Sequence, residues 1–331
     1  MPDAIHLIRS IVVACALPLL AGGCGFPSFL ITPVQNTSKL EEQTIKEGSG
    51  WSQPKIAMIE VEGMLINART GGFLQPSENK LSLFTQQLER AEQDDAVKAV
   101  VLRINSPGGT VTCTDTMYQD LVKFRQKTHK PVVASTQEIC ASGGYYVACG
   151  SDQIVAHPTS VVGSIGVIFE TFDASGGLDK LGIKSEAIKS GPLKDMGSPF
   201  RPLDSEARAV MQGMVNEYYA RFLSVVKDNR KQLAETDDVK IATDGRVFSG
   251  EQALKLGLVD RTGLLDDAID LAKKMSKSPG AKVVMYKRPY GYSGSIYAET
   301  STPAPRSNVM TLQLPESAMF LPSGFYYLWR P

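Results

Sequence analysis

Little in this chain invites a metal. Of 331 residues only three are histidine, His6, His129 and His157, and none stands in a Cys/His cluster with ligand spacing. Neither a metal nor any other cofactor is expected. Charge of one sign is also missing, since Lys plus Arg and Asp plus Glu both count 35. Nucleic-acid binding needs a basic face to neutralise phosphates, and a balanced chain without a basic run supplies none. No apolar run is long enough to span a membrane. The best, Ile11 to Leu20, falls short of the roughly 20 residues that a ~30 Å hydrocarbon layer demands.

What is present begins with that short run. It follows Arg9 and breaks at Ala21-Gly22-Gly23-Cys24, which reads as a signal peptide over residues 1–23. The small residues before Cys24 look like a lipobox, at which bacterial lipoproteins are lipidated on cysteine and cleaved before it. Its leucine lies one place further upstream than usual, so ordinary cleavage nearby or an uncleaved anchor stays open. In each case the chain beyond lies outside the cytoplasm, in the cell envelope. With Cys15 removed and Cys24 lipidated, Cys113, Cys140 and Cys149 remain, an odd number that cannot all pair. They are expected as small buried hydrophobes.

Residues 24–53, rich in Thr, Ser, Gly, Glu and Lys without a period, read as a flexible tether. Residues 54–275 read as one α/β domain. Strands are expected at Ile56 to Ile66, Val97 to Ile104, Pro131 to Ser135, Gln153 to Ala156, Gly166 to Glu170 and Lys184 to Ile188. Helices are expected around Leu81 to Ala91 and over Thr110 to Lys127, Ser142 to Cys149, Phe248 to Gly257 and Leu264 to Met275, with a long one capped by Asp204. Strands alternating with helices argue for a mostly parallel sheet. Residues 276–331 form a C-terminal extension whose aromatic end, Phe325-Tyr326-Tyr327-Leu328-Trp329, is expected to pack on the domain or on a neighbouring subunit.

Chemistry concentrates at Ala141-Ser142-Gly143-Gly144-Tyr145-Tyr146. A serine at a strand-to-helix corner with glycines behind it has an exposed hydroxyl and room for a carbonyl to approach. It reads equally as a capping serine on a glycine turn. Two segments favour the nucleophile. Asn105-Ser106-Pro107-Gly108-Gly109 ends one strand and opens a helix, with its amides facing outward. Ser190-Gly191-Pro192-Leu193-Lys194-Asp195-Met196 offers a lysine among apolar residues. A serine hydroxyl needs a base during attack, and a lysine serves only when neutral, which apolar surroundings favour. Asp195 would oppose this unless its side chain pointed away. The oxyanion needs backbone donors, by position Gly143 and Gly109. A Ser-His-Asp site is disfavoured, since His129 and His157 sit in no motif and Asp152 would meet a histidine only by accident of folding.

These motifs resemble the signal peptide peptidase A group of serine peptidases, family S49 in its short single-repeat form, over roughly Pro54 to Met275. The resemblance implies a ClpP/crotonase-like fold of repeated β-β-α units with a mostly parallel sheet and further helices. It implies a Ser142–Lys194 dyad with Ser164 orienting the lysine amine, a membrane-associated endopeptidase acting on released signal peptides or similar apolar peptides with small residues at the cut, and a homo-oligomeric ring. The alternatives are a crotonase-like acyl-CoA enzyme, which needs neither Ser142 nor Lys194, and an inactive envelope scaffold or binding protein.

Overall fold

The computed structural model describes residues 39–50, 53–70, 78–234, 239–288 and 323–331. The expected signal peptide, Cys24 and the stretch 289–322 lie outside the described residues.

Four parallel strands form the frame: β2 (Lys55–Leu65), β5 (Val97–Thr110), β6 (Val132–Ala141) and β7 (Gln153–Ala156), hydrogen-bonded in that order. Between β2 and β5 in the chain, β3 (Arg69–Thr70) and β4 (Glu78–Asn79) pair with each other as a separate short ladder. Residues of the frame alternate between two apolar faces, as strands covered on both sides do. Ala57, Ile59, Leu102, Ile104 and Ala134 face α1 (Lys80–Gln93), α2 (Val111–Thr128) and α3 (Gly143–Ala148), joined there by Phe84, Leu121 and Tyr145. Ile56, Met58, Val101 and Val133 face Ile269 and Ala272 of the last helix, Leu265–Met275. The expected α/β architecture is therefore the one observed.

Both flanks of the domain reach further than the sequence suggests. β1 (Glu41–Lys46) lies inside the segment read as tether, and it pairs antiparallel with β12 (Lys282–Lys287), which lies inside the segment read as extension. β12 in turn runs parallel to β2. Their Lys and Glu residues hide the strand pattern, and the pairing joins two segments far apart along the chain, which no local window can display. The other parallel edge is β11 (Arg261–Thr262), beside β7.

Around the carboxyl ends of β5 and β6 the sheet splits into short strands. β8 (Val161–Gly163) runs parallel to the end of β6, with Ala141 opposite Gly163, and β10 (Val247–Ser249) pairs antiparallel with β8. The stretch expected as one helix from Phe248 begins instead with β10 and continues as Gly250–Lys255, opened by a reciprocal Ser249/Gln252 cap. β9 (Ile168–Glu170) pairs with β13 (Gly324–Leu328), and β13 pairs with the end of β5. Two pieces complete this end. One is a short helix, α4 (Ser175–Lys180). The other is the long α5 (Ser205–Asn229), whose Asp204 carboxylate accepts from the Ala207 amide at 2.7 Å. Lys184 to Ile188 forms no strand; it is exposed and finds no sheet edge to pair with.

Candidate active site

β6 ends at Ala141 and α3 starts at Gly143, so the whole change of direction falls on Ser142. Its φ of 50° and ψ of −114° are unusual for a residue with a side chain. Strain of this kind, of order 1–3 kcal/mol, persists only where the surroundings impose it. Here the Ser142 amide donates to the Gly163 carbonyl at 2.7 Å, and the Ser142 carbonyl accepts from the Tyr146 amide at 2.9 Å. The side chain makes no capping hydrogen bond, although Ser142 stands at the helix N-cap. The capping alternative is thereby removed. Ser142 is only 1% exposed.

The glycines around it are there for space. A Cβ on Gly143 would lie 2.8 Å from Thr114 Oγ1 and 3.0 Å from the Gly108 Cα. One on Gly109 would overlap the Leu65 carbonyl oxygen and lie 2.6 Å from the Leu65 amide nitrogen. Gly108 adopts a φ of 104°, and its amide donates to Ser106 Oγ at 3.1 Å, while that hydroxyl donates to the Gly63 carbonyl at 2.7 Å. The glycine loop is thus pinned to β2 on one side and packed against Gly143 on the other. Of the two expected donors, Gly143 follows Ser142 directly and packs against Gly108, while Gly109 lies next along the loop against Leu65.

Ser164 also arrives there. β8 and β6 are in register at Gly163 and Ala141, so Ser164 follows its strand as Ser142 follows the neighbouring one. Ser164 is 8% exposed, has a φ of 52°, and is held by its amide to the Arg246 carbonyl at 2.7 Å.

Lys194 does not arrive. It sits on an exposed turn closed by its amide to the Gly191 carbonyl, and among the described residues no hydrogen bond joins it to Ser142. Asp195 does turn away, pairing with Lys189 at 2.8 Å and Arg201 at 2.9 Å, and these cations hold its carboxyl below the usual range. The flanking segment leaves Leu181, Ile183, Ile188 and Phe200 exposed. Next to it is a cavity of about 510 Å³ lined by Phe169, Phe172, Met211 and Val215.

The rival nucleophiles fall away. Asp152 accepts from Arg125 and from the Val132 amide, with no histidine as partner, and His157 Nδ1 meets Thr159 Oγ1. Cys113, Cys140 and Cys149 are free and buried, as expected. Burial pushes the Cys113 and Cys149 thiols up to about 11 and the Cys140 thiol higher still, the reverse of what a thiolate nucleophile requires. No group of His, Cys, Asp and Glu that could hold a metal occurs among the described residues.

Two components went unseen in the sequence. Thr114, fully buried against Gly143, has an Oγ1 with no hydrogen-bond partner; it is one hydroxyl in an ordinary helix and carries no motif. The other is β13, whose aromatic residues announced packing but not a destination.

Residues 124–278 match the model of peptidase family S49, and residues 55–160 match that of Clp protease. A protein of Enterococcus faecium named a signal peptide peptidase SppA is 37% identical over 251 residues, which cover 76% of this chain and 72% of that one. Protease 4 of Salmonella typhi is 38% identical over 58% of this chain and 30% of its own length, and the chloroplastic serine protease SPPA of Arabidopsis thaliana is 29% identical over 76% and 38%. The parallel sheet, with its strand-to-helix corner at Ser142, is the ClpP-like α/β fold that these matches carry. The chain belongs to peptidase family S49, as a serine endopeptidase of the signal peptide peptidase A type.

Proposed function

We propose that Ser142 is the nucleophile and Lys194 the general base of a Ser-Lys peptidase acting at a membrane surface. The observation that carries this reading is the strained Ser142 corner, whose hydroxyl makes no capping hydrogen bond and whose neighbour Gly143 packs against Gly108 of the glycine loop. Neutral Lys194 takes the Ser142 proton as Oγ attacks the peptide carbonyl. The tetrahedral oxyanion is held by the two glycine amides. Collapse expels the amine with the proton returned from Lys194, and water then hydrolyses the acyl-enzyme by the same route. Ser164 holds the amine in line through its hydroxyl.

Lys194 comes from a neighbouring copy in a homo-oligomeric ring. Two features of the chain support this: the exposed position of Lys194 and the uncovered Leu181, Ile183, Ile188 and Phe200 around it. Residues 1–23 are a signal peptide and Cys24 carries the lipid that anchors the domain in the cell envelope. The substrates are signal peptides or similar apolar peptides, as the names of the relatives suggest.

A fluorophosphonate probe tests the core of this. It should label the wild-type protein once, on Ser142, and fail to label Ser142→Ala. A folded wild-type sample that takes no label overturns the assignment.

A further inference from the structure

Thr114 takes no part in the steps above, yet its side chain is set against the residue that follows the nucleophile. It lies on α2, fully buried, and its Oγ1 has no hydrogen-bond partner among the described residues. A buried hydroxyl left unpaired is destabilising, and folded chains mostly avoid one. An ordinary remedy was within reach. Thr116 and Thr128 of the same helix each donate to the carbonyl four residues back at 2.8 Å, the bond that a helical threonine makes when nothing else claims its hydroxyl. Thr114 makes no such bond to Thr110.

Its hydroxyl is turned to the corner instead. Around the missing side chain of Gly143, Thr114 Oγ1 is the nearest atom, 2.8 Å from where a Cβ would stand, ahead of the Gly108 Cα at 3.0 Å. The oxygen, and not the methyl group, faces Gly143. Neighbouring polar groups are already committed. Ser106 Oγ in the glycine loop accepts from the Gly108 amide and donates to the Gly63 carbonyl. Asp115, the next residue along α2, accepts from the Tyr146 hydroxyl at 2.7 Å and from both prongs of the Arg221 fork.

A spare donor facing Gly143 lacks an acceptor until the substrate supplies one. During acyl transfer that acceptor is the oxygen of the attacked carbonyl, which turns negative beside the amide after the nucleophile. We propose that Thr114 is a further oxyanion donor: as Ser142 Oγ bonds to the carbonyl carbon and the π pair moves onto the carbonyl oxygen, the Thr114 hydroxyl donates to that oxygen beside the Gly143 amide. The serine proton goes to the base, and Thr114 keeps its own. This rests on the assignment of Ser142 and Gly143. A bond made only as charge develops stabilises the transition state over the bound substrate, so it acts on kcat and leaves KM unchanged. The resting protein carries the cost, as an unpaired donor in its core.

The test uses the full chain, with Thr114→Val, Thr114→Ser and Ser142→Ala compared in hydrolysis of an internally quenched apolar peptide, fluorophosphonate labelling and thermal melting. Valine keeps the shape and removes only the unpaired hydroxyl, so Thr114→Val should melt at or above the wild-type temperature. Its kcat should fall by about tenfold to a hundredfold at unchanged KM, and labelling, which places a phosphoryl oxygen in the same position, should slow by a similar factor. Thr114→Ser restores the hydroxyl and should stay within about threefold of wild type. Wild-type rates in Thr114→Val, with Ser142→Ala inactive, overturn the proposal and leave the nucleophile standing. A Thr114→Val protein that melts well below wild type, or does not fold, also overturns it, because the hydroxyl then has a structural partner. A loss confined to KM places Thr114 in substrate binding and excludes an oxyanion donor. If Ser142→Ala keeps its activity, the nucleophile assignment itself is wrong and the role of Thr114 falls with it.

Discussion

Gly109→Ala separates the catalytic use of the glycine loop from its folding. A methyl group there overlaps the Leu65 carbonyl oxygen and lies 2.5 Å and 2.6 Å from the Leu65 carbon and nitrogen. All three atoms are backbone of a central strand and cannot rotate aside, so the loop itself must retreat by about 1.5 Å, from 1.9 Å to the 3.4 Å at which ordinary contact begins. A displacement of that size withdraws one oxyanion donor, which is worth about 10²–10³ in rate, or roughly 2.7–4 kcal/mol. Folding should suffer less. Overpacking of this kind removes about 1–3 kcal/mol, and each kcal/mol lowers Tm by about 2–4 °C in a domain of this size. Peptide hydrolysis, fluorophosphonate labelling and thermal melting are measured on Gly109→Ala beside Gly176→Ala, whose added Cβ meets nothing within 4 Å. The control should match wild type. If Gly109→Ala is folded and keeps more than about a third of wild-type turnover, the Gly109 amide is not an oxyanion donor of the usual strength.

If a neutral lysine is the base, the rate should rise with pH along one limb and level off at alkaline values, because the protonated amine cannot accept the serine proton. A rate flat from mildly acidic to alkaline pH, with chemistry limiting, removes Lys194 from the mechanism. Ser142→Ala and Lys194→Met chains, each inactive alone, should regain part of the activity when subunits exchange, since mixed rings contain some intact pairs. No recovery after exchange is verified by mass places the dyad within one chain. Cys113, Cys140 and Cys149 should resist iodoacetamide at mildly alkaline pH and react after denaturation, because burial keeps their thiols protonated well past the ordinary thiol range. Rapid alkylation of any one in the folded protein contradicts that burial. Intact-mass analysis of membrane-extracted protein should show a chain beginning at lipidated Cys24, and an unmodified N-terminus elsewhere would exclude the lipoprotein reading.

The parts of this fold that were legible in the sequence are those whose signal is local. Gln153 to Ala156 is bounded by its own short run, and the start of the long helix by the Asp204 cap, behind which Ala207, Met211, Phe222 and Val225 are buried. What was not legible depends on a partner far along the chain. Glu41 to Lys46 becomes a strand only because Lys282 to Lys287 lies beside it, and Lys184 to Ile188, with a similar alternation of charged and apolar residues, stays irregular for want of an edge. The site divides in the same way. Ser142, Gly143 and Gly109 are readable as candidates because glycines and a strand end mark that part of the sequence, whereas Ser164 is named only through the family resemblance. Thr114 is not readable, because its importance comes only from touching Gly143.

The position of Lys194 raises the question of where its apolar surroundings come from. Pro192, Leu193 and Met196 were expected to desolvate the amine, yet in the folded chain Lys194 stands on an exposed turn. The ion pairs among Lys189, Asp195, Arg201 and Asp204 at its base lie at the surface, and screened pairs of this kind do not hold a loop against a competing fold. Burial of apolar area outweighs them. Leu181, Ile183, Ile188 and Phe200 are each more than half exposed, and burying such side chains is worth roughly 1.5–3 kcal/mol apiece. A neighbouring copy that covered them would gain that free energy and would dry the turn that carries Lys194 in the same step. Desolvation of Lys194 and assembly of the proposed ring would then be one event, so that a chain alone leaves Lys194 on its exposed turn.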